Sequence, residues 1–382
     1  MKPFVIGVGV TKFGELWDIS PRNLVKEAVT QALADSGITI SEIDAVFVGN
    51  MLSGVLGNQE NLGALYNDEL GLKGVPAFKI EGACASGGLA FHNALNSILA
   101  NKYKTCLVIG VEKMTDHKPE EITNALMAAA HEEERTAGLT FPGLYAILAR
   151  AYCKKYKITE KDLASVSVES HYHAALNPKA QFPFKVTLKQ VMESNYIADP
   201  LKLLECSPIS DGAAALIVAG FDGKKMKRGV EVIASEVATD SLGLSGRNDL
   251  TTLKSTVLAA KKAYEQAKIV PSDVDVAEVH DCFSIAQVLA LEDLGFFKKG
   301  TSLKEVIKGK IRLGSGAPVV NPSGGLKACG HPIGASGVKQ IVEITIQLRG
   351  EAGKRQVEGA KIGLTHNVGG SGAIAIVNLL KI

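Results

Sequence analysis

Two stretches of this chain follow one pattern at one constant offset. "VKEAVTQALADSGITISEIDAVFVG" and "VLAAKKAYEQAKIVPSDVDVAEVH" pair Ala28 with Ala259, Ala32 with Ala263, Ile38 with Ile269, Ser41 with Ser272, Asp44 with Asp275 and Val48 with Val279. A second pair follows in the same order. "ASGGLAFHNALNSIL" lines up with "ASGVKQIVEITIQL", placing Ser86 on Ser336 and Gly87 on Gly337, and each is followed by a β-rich run. The repeat is far too long for a solenoid unit. One half of the chain is duplicated, so the fold must accommodate two like halves related by a pseudo-twofold axis. The halves are read as 1–112 with 206–220, and 228–382. Residues 113–205, helical stretches and polar loops, have no counterpart of similar size and form an inserted cap region. Such insertions cover a site or build an interface.

Each half alternates β-rich runs with helical patterns, which predicts α/β layers. The runs are "FVIGVGV", "DAVFVG", "CLVIGV", "ALIVA", "VEVIASEV", "VDVAEV", "KIGLT" and "AIAIVNLL". Ser20-Pro21 is a helix start, a capping hydroxyl followed by proline at the first position. The apolar face behind it is Leu24, Val25, Ala28, Val29, Ala32 and Leu33, at helical period. The 382 residues are 46% hydrophobic and carry a formal net charge of +2, a globular balance that points to neither nucleic acid nor a membrane as partner. No apolar run is long enough to span a bilayer. The N-terminal "MKPFVIGVGVTKFG" reads as a buried strand rather than a signal peptide. Six cysteines, at 84, 106, 153, 206, 282 and 329, show neither disulfide-framework spacing nor a CxxC pair. They read as free thiols in a cytoplasmic protein.

Cys84 stands among Gly82, Ala83, Ala85, Ser86, Gly87 and Gly88, where a helical pattern begins. A free cysteine often packs as a small hydrophobe. A thiol at a helix start is also favoured as thiolate. The duplication bears on the choice: the loop before the second "ASG" helix, "NPSGGLKACGHPIG", puts His331 where the first half puts Cys84. Two related halves bring the two helix starts together, and a thiol beside an imidazole is what a cysteine nucleophile requires.

These motifs resemble the thiolase superfamily along nearly the whole chain. "GACASGG" is similar to its nucleophile loop and "NPSGGLKACGHPIGASG" to its histidine loop. "EVHDCFS" resembles the loop that reads HDCF in the sterol-carrier-protein type, and "THNVGGSGAIA" the C-terminal glycine loop. "TKFGELW" and "IADPLKLLECSPISDGAAA" resemble stretches of archaeal-type acetoacetyl-CoA thiolases. The fold implied is a five-layer α/β/α/β/α sandwich of two halves. By the resemblance Cys84 is the nucleophile and His331 takes its proton. His280 stands where most thiolases have asparagine, and with His331 it forms an oxyanion hole for the enolate. Asn367 occupies the place of the usual second cysteine, which the HDCF type supplies instead from Cys282, the acid/base. Backbone N–H groups of Cys84 and Gly369 form a second oxyanion hole, and Ser207 and Phe283 line a pantetheine tunnel. His366 and Cys329 are the next candidates for the base.

His280-x-Cys282 and Cys329-x-His331 also offer four zinc-binding side chains. A single intervening residue on an extended chain turns paired side chains to opposite faces, and structural zinc sites use wider spacings, so no metal is expected. No GxxxxGK[ST] or GxGxxG pattern marks a strand-to-helix turn, so no nucleotide cofactor is expected either; CoA thioesters are the substrates. The resemblance implies an acetyl-CoA C-acetyltransferase, joining two acetyl-CoA into acetoacetyl-CoA and CoA through an acyl-Cys84 intermediate. It further implies a homodimer or tetramer, a role in the mevalonate pathway and a complex with a hydroxymethylglutaryl-CoA synthase. The alternatives are a ketoacyl synthase-like Cys-His-His condensing enzyme, a thiolase for longer 3-ketoacyl chains, and a non-catalytic acyl-CoA or lipid-binding scaffold. Cys282 separates thiolase from synthase, because decarboxylative condensation needs no base for the α-proton.

Overall fold

The computed structural model describes residues 1–221, 228–316 and 318–382. The first part of the chain forms β1 (Lys2–Val10), α1 (Pro21–Ser36), β2 (Ala45–Gly49), α2 (Leu62–Glu69), β3 (Ala77–Ile80), α3 (Ser86–Leu99) and β4 (Thr105–Glu112). Then come α4 (Pro119–Leu126), α5 (Glu132–Thr136), α6 (Phe141–Tyr156), α7 (Glu160–Ala174), α8 (Leu188–Glu193) and a small hairpin, β5 (Tyr196–Ala198) with β6 (Leu201–Lys202). β7 (Gly212–Phe221) returns to pair with β4. The remainder forms β8 (Val230–Thr239), α9 (Lys254–Ala267), β9 (Val276–Glu278), α10 (Ser284–Asp293), α11 (Ser302–Ile307), β10 (Val319–Val320), α12 (Gly325–Cys329), α13 (Ile333–Arg349), β11 (Ile362–Gly369) and β12 (Ile374–Lys381).

The strand order makes the duplication visible. One ladder of ten strands runs β10-β9-β11-β12-β8-β1-β7-β4-β2-β3. From its middle outward, β1-β7-β4-β2-β3 mirrors β8-β12-β11-β9-β10 in order and in pairing sense. The inner pairs are antiparallel and the outer two on each side parallel. Among the described residues, β1 and β8 join the halves through two residue pairs, Phe4 with Glu231 and Val5 with Val230. Two five-stranded sheets thus meet along one short seam.

Both faces of these sheets are buried, which is why the strands read as continuous apolar runs. Along β1, Phe4 and Ile6 face α1 and the core of Leu24, Val25, Ala28 and Val29, whereas Val5 and Val8 face α3 and α13. Along β12, Val377 and Leu379 face the core of the second half and Leu380 the centre. Five layers result: α1 and α2, a sheet, α3 with α13, a sheet, and α9 with α10. Helix α1 starts as its sequence predicts, with Ser20 Oγ accepting from Asn23 N–H and proline in the first turn, although Leu33 is only half-buried.

The central layer is the tightest contact. Ala90, Phe91, Ala94 and Leu95 of α3 share a core with Val338, Ile341 and Val342 of α13. At their N-terminal ends the helices touch backbone to backbone. A Cβ on Gly87 would lie 2.5 Å from the Gly334 carbonyl oxygen, and one on Gly337 would lie 2.4 Å from the Gly88 nitrogen. These four small residues set how close the two helix starts come. Gly87→Ala therefore costs about 1–3 kcal/mol, because backbone cannot give way as a side-chain tip can. Gly14→Ala, whose Cβ meets nothing within 4 Å, stays within about 0.5 kcal/mol. Urea unfolding of both variants checks the contrast.

Candidate active site

Cys84 lies in a 3-10 turn, Ala83–Ala85, that runs directly into α3. Ala83 adopts φ +52°, a left-handed conformation that few residues with a side chain hold. Ser86 fixes the turn: its hydroxyl donates to the Ala83 carbonyl at 2.6 Å and accepts from Gly82 N–H at 3.0 Å. His331 stands at the corresponding place, two residues ahead of α13 as Cys84 is two ahead of α3. The close crossing of the two helices brings these residues together. His280 and Cys282 follow β9 in the turn before α10. One ligating atom each of Cys84, His280 and His331 lies within 4.8 Å of the others, and the two imidazole rings meet edge to face at 5.2 Å between centroids.

The hydrogen bonds assign opposite tautomers to the two histidines. Ser336 Oγ donates to the Pro332 carbonyl, so it accepts at 2.7 Å from His331 Nδ1–H. His331 Nε2 is then a bare lone pair, and it has no protein partner. Asn367 dictates the reverse for His280. Its carbonyl oxygen accepts from Gly88 N–H, so its amide nitrogen is the donor, to the Cys84 carbonyl at 2.9 Å and to His280 Nδ1 at 3.3 Å. His280 Nε2 therefore carries the hydrogen, and it too is buried without a partner. One ring offers a base and the other a donor. Tautomers follow from such networks in general.

All four side chains are buried or nearly so, and burial governs their protonation. It pushes the Cys84 thiol up to about 12, opposed by a hydrogen bond from the Gly370 amide. It lowers His280 to about 4. It takes His331 well below the ordinary histidine value, with His280 adding to the effect. The resting site thus holds a neutral thiol beside neutral imidazoles; the helix start does not by itself produce the thiolate that its position suggests. The amide at the Cys84 sulfur is that of Gly370. Gly369 before it lies close against the Ala83–Ala85 turn, where a Cβ would be 2.3 Å from the Gly82 oxygen.

A cavity of about 300 Å³ opens on this cluster, lined by Cys84, His331, Cys282, Phe283, Ser207 and Gly370 among others. Its walls are largely apolar: Met114, Leu126, Phe141, Ile209 and Ile333 contribute. Ser207 N–H donates to the Cys282 carbonyl at 2.8 Å, which ties the chain entering β7 to the HDCF turn. Tyr145 of α6 was not foreseen from sequence. Its ring packs on Phe283 at 4.6 Å, and its hydroxyl donates to the Gly370 carbonyl at 3.1 Å, in the cavity that Cys282 also lines. Tyrosine in an insertion without a motif gives no signal.

The other candidates lie elsewhere. His366 receives His280 N–H at Nδ1 and bonds Thr256 Oγ1 at 2.9 Å through Nε2, so it buttresses the site from behind. Cys329 lines a separate cavity of about 110 Å³ with Thr11, Lys339 and Arg355, and accepts from Asn177. Cys106 is in the central core and Cys153 half-buried on α6. Buried ion pairs hold the loops. The Asp281 carboxylate binds Lys327 Nζ at 2.9 Å and Leu326 N–H at 2.5 Å, joining the HDCF turn to the histidine loop. Glu112 accepts from the backbone N–H groups of Met51, Leu52 and Gly334, fixing the start of α13.

Ionisation of Cys84 in the free enzyme needs high pH. Its iodoacetamide alkylation should keep rising through about pH 10 with no plateau near neutrality, where thiolate–imidazolium pairs are already fully reactive. A plateau at neutral pH would show that the resting pair is ionic.

A family model described as "Thiolase, N-terminal domain" matches residues 4–221, and one described as "Thiolase C-terminal domain-like" matches residues 237–382. The chain is 48% identical over 380 residues to an acetyl-CoA acetyltransferase of Methanothermobacter thermautotrophicus, spanning 99% of this chain and 98% of that protein. It is 35% identical to sterol carrier protein 2 of Bos taurus, over 99% of this chain and 72% of that protein. Among solved structures, the acetyl-CoA acetyltransferase from Syntrophomonas wolfei superposes with a TM-score of 0.76 at 18% identity, covering 100% of this chain and 99% of that one, and so shares the fold.

Proposed function

This chain belongs to the thiolase family, and on that premise we propose that it is an acetyl-CoA C-acetyltransferase working through Cys84, His331, His280 and Cys282. The observation that carries the reading is the pair of unpartnered Nε2 atoms in opposite tautomers beside Cys84, with Cys282 in the same cavity. In the first half-reaction His331 Nε2 takes the Cys84 proton, and the sulfur attacks the thioester carbonyl of acetyl-CoA. The tetrahedral oxygen accepts from the Cys84 and Gly369 amides, with the Gly370 amide beside them. The C–S bond to CoA breaks, and the departing thiolate takes the proton of Cys282. The site is left with acetyl-Cys84, imidazolium at 331 and thiolate at 282.

In the second half-reaction another acetyl-CoA enters with its carbonyl oxygen between His280 Nε2–H and His331 Nε2–H. Cys282 removes a methyl proton, and the electron pair of that C–H bond becomes an enolate held by both rings. The enolate carbon attacks acetyl-Cys84, the C–S bond breaks, and acetoacetyl-CoA leaves with the thiolate of Cys84 and the imidazolium of His331 restored to thiol and base. Every proton is accounted for without a metal or a cofactor; Ser207 and Phe283 flank the pantetheine arm. The single cavity containing both cysteines favours this reading over a ketoacyl synthase, which has no use for Cys282, and over an inert scaffold.

The finer assignments are part of the same proposal: a cytoplasmic enzyme of the mevalonate pathway, a homodimer or tetramer, and a partner of a hydroxymethylglutaryl-CoA synthase. The similarity to archaeal relatives supports them, and among the described residues no helix is long and apolar enough to cross a membrane. Sedimentation should give a dimer or tetramer, with 113–205 partly protected at the interface; a fully active monomer would remove that part.

The chemistry is tested by separating the two half-reactions. Radiolabelled acetyl-CoA should label the Cys84 peptide, and Cys84→Ala should abolish acyl transfer. Cys282→Ala should still exchange acetyl groups with CoA, because a thiolate leaves readily unprotonated. It should lose about a hundredfold or more in acetoacetyl-CoA formation and in solvent-deuterium exchange into the acetyl methyl, the scale of a lost general base. Deuterium exchange at the wild-type rate would place the base elsewhere.

A further inference from the structure

Cys282 has a difficulty that its neighbours must solve. It is 5% exposed, and burial holds its thiol well above the ordinary range, with negative charge on Cys84, whenever that sulfur is ionised, raising it further. Among the described residues, no lysine or arginine lines the cavity with it. The carboxylate next along the chain, Asp281, is committed to Lys327 and Leu326. A base made from this sulfur needs a hydrogen-bond donor that stabilises the thiolate.

Tyr145 carries such a donor. It lines the same cavity as Cys282, its ring lies on the neighbouring Phe283, and its hydroxyl donates to the Gly370 carbonyl at 3.1 Å. Burial keeps the phenol protonated far above neutral pH, so it remains a donor throughout the working range. Its ring cannot move far, being sandwiched within α6 and against Phe283 at 4.6 Å. Only the O–H bond is free to turn.

We propose that Tyr145 is a positioning residue for Cys282, its hydroxyl turning from the Gly370 carbonyl to the Cys282 sulfur when that sulfur is ionised. The inference rests on the reading of Cys282 as the base. With the thiol protonated, S–H donates to the phenol oxygen and the phenol donates to Gly370. When Cys282 gives its proton to departing CoA, the phenol O–H rotates and donates to the thiolate. When the thiolate takes the α-proton, the electron pair of the C–H bond stays with the enolate, S–H reforms and the hydroxyl returns to Gly370. No bond to Tyr145 breaks, and nothing is oxidised or reduced. Because the Gly370 amide also faces the Cys84 sulfur, one residue is bonded toward both cysteines.

The test uses Tyr145→Phe, which removes the hydroxyl and keeps the ring on Phe283. In a Cys84→Ala background, iodoacetamide alkylation of Cys282, followed by peptide mass, reports thiolate directly. A lost hydrogen bond to the charged form should lower that rate about tenfold at neutral pH, with the deficit closing as pH rises. With Cys84 present, Tyr145→Phe should slow deuterium exchange into the acetyl methyl by about tenfold and leave acetyl exchange with CoA nearly unchanged. Phe283→Leu, which removes the ring contact and leaves the hydroxyl, should leave the pH course of Cys282 alkylation in place. Unchanged alkylation and exchange in Tyr145→Phe would overturn the proposal, as would an equal loss of both half-reactions with unaltered alkylation. If Cys282→Ala itself exchanges deuterium normally, the assignment of the base fails, while alkylation still decides whether Tyr145 governs this thiol.

Discussion

The site exists because two helices meet where neither carries a side chain. At the crossing of α3 and α13 a methyl group on Gly87 or Gly337 would run into backbone. The small residues around Cys84 are therefore a packing requirement first. They bring a turn from each half to the same point, and the duplicated architecture puts a thiol on one turn and an imidazole on the other. Asn367 wedges between the same helices, against Gly88 and Gly337, and from there reaches both the Cys84 carbonyl and His280. The groove that fixes helix spacing also fixes a tautomer.

Charge is kept out of the cavity and concentrated behind it. Burial favours the neutral forms of Cys84, His280, His331 and Cys282, whereas Asp281 of the turn after β9 pairs with Lys327 of α12, and Glu278 of β9 with Lys339 of α13. Buried pairs add little stability over apolar packing, but losing one partner is costly, which makes them effective at holding a particular loop geometry. On the proposed reading, transfer of the Cys84 proton to His331 then creates an ion pair between largely apolar walls. Such pairs interact strongly because little solvent screens them.

Much of this was legible in the sequence, for reasons that can be named. The duplication shows because each half must present equivalent faces to the common centre. Strands buried on both sides appear as long apolar runs, and eight of them are visible. The edge strands β3 and β10 are not, since "AFKI" is half-polar and only two residues of β10 pair. Cys84 and His331 stand out because each lies among glycines and other small or ring-constrained residues where a helix begins, whereas His280 stands out at a strand end and Cys282 through the resemblance of its loop to HDCF. Tyr145 and Glu112 do not, because their roles depend on which distant backbone groups they meet. Asn367 was legible only as the place of a missing cysteine, and its work as a wedge needs the helix crossing to be seen. The rise of the Cys84 thiol is hidden in the sequence for a similar reason: a helix start is a local feature, whereas desolvation is set by the whole enclosure.

The opposite tautomers of His280 and His331 also define what a small molecule must look like to bond both rings from this pocket, which His331 lines and behind which His280 lies buried. Facing His280 it needs a lone pair; facing His331, in the resting enzyme, it needs a hydrogen to give. A hydroxamic acid or an enol offers both within one short fragment, while a simple ketone satisfies only one ring and leaves the other buried and unpaired. Discrimination among inhibitors would then follow the cost of that unpaired nitrogen rather than the length of the apolar tail.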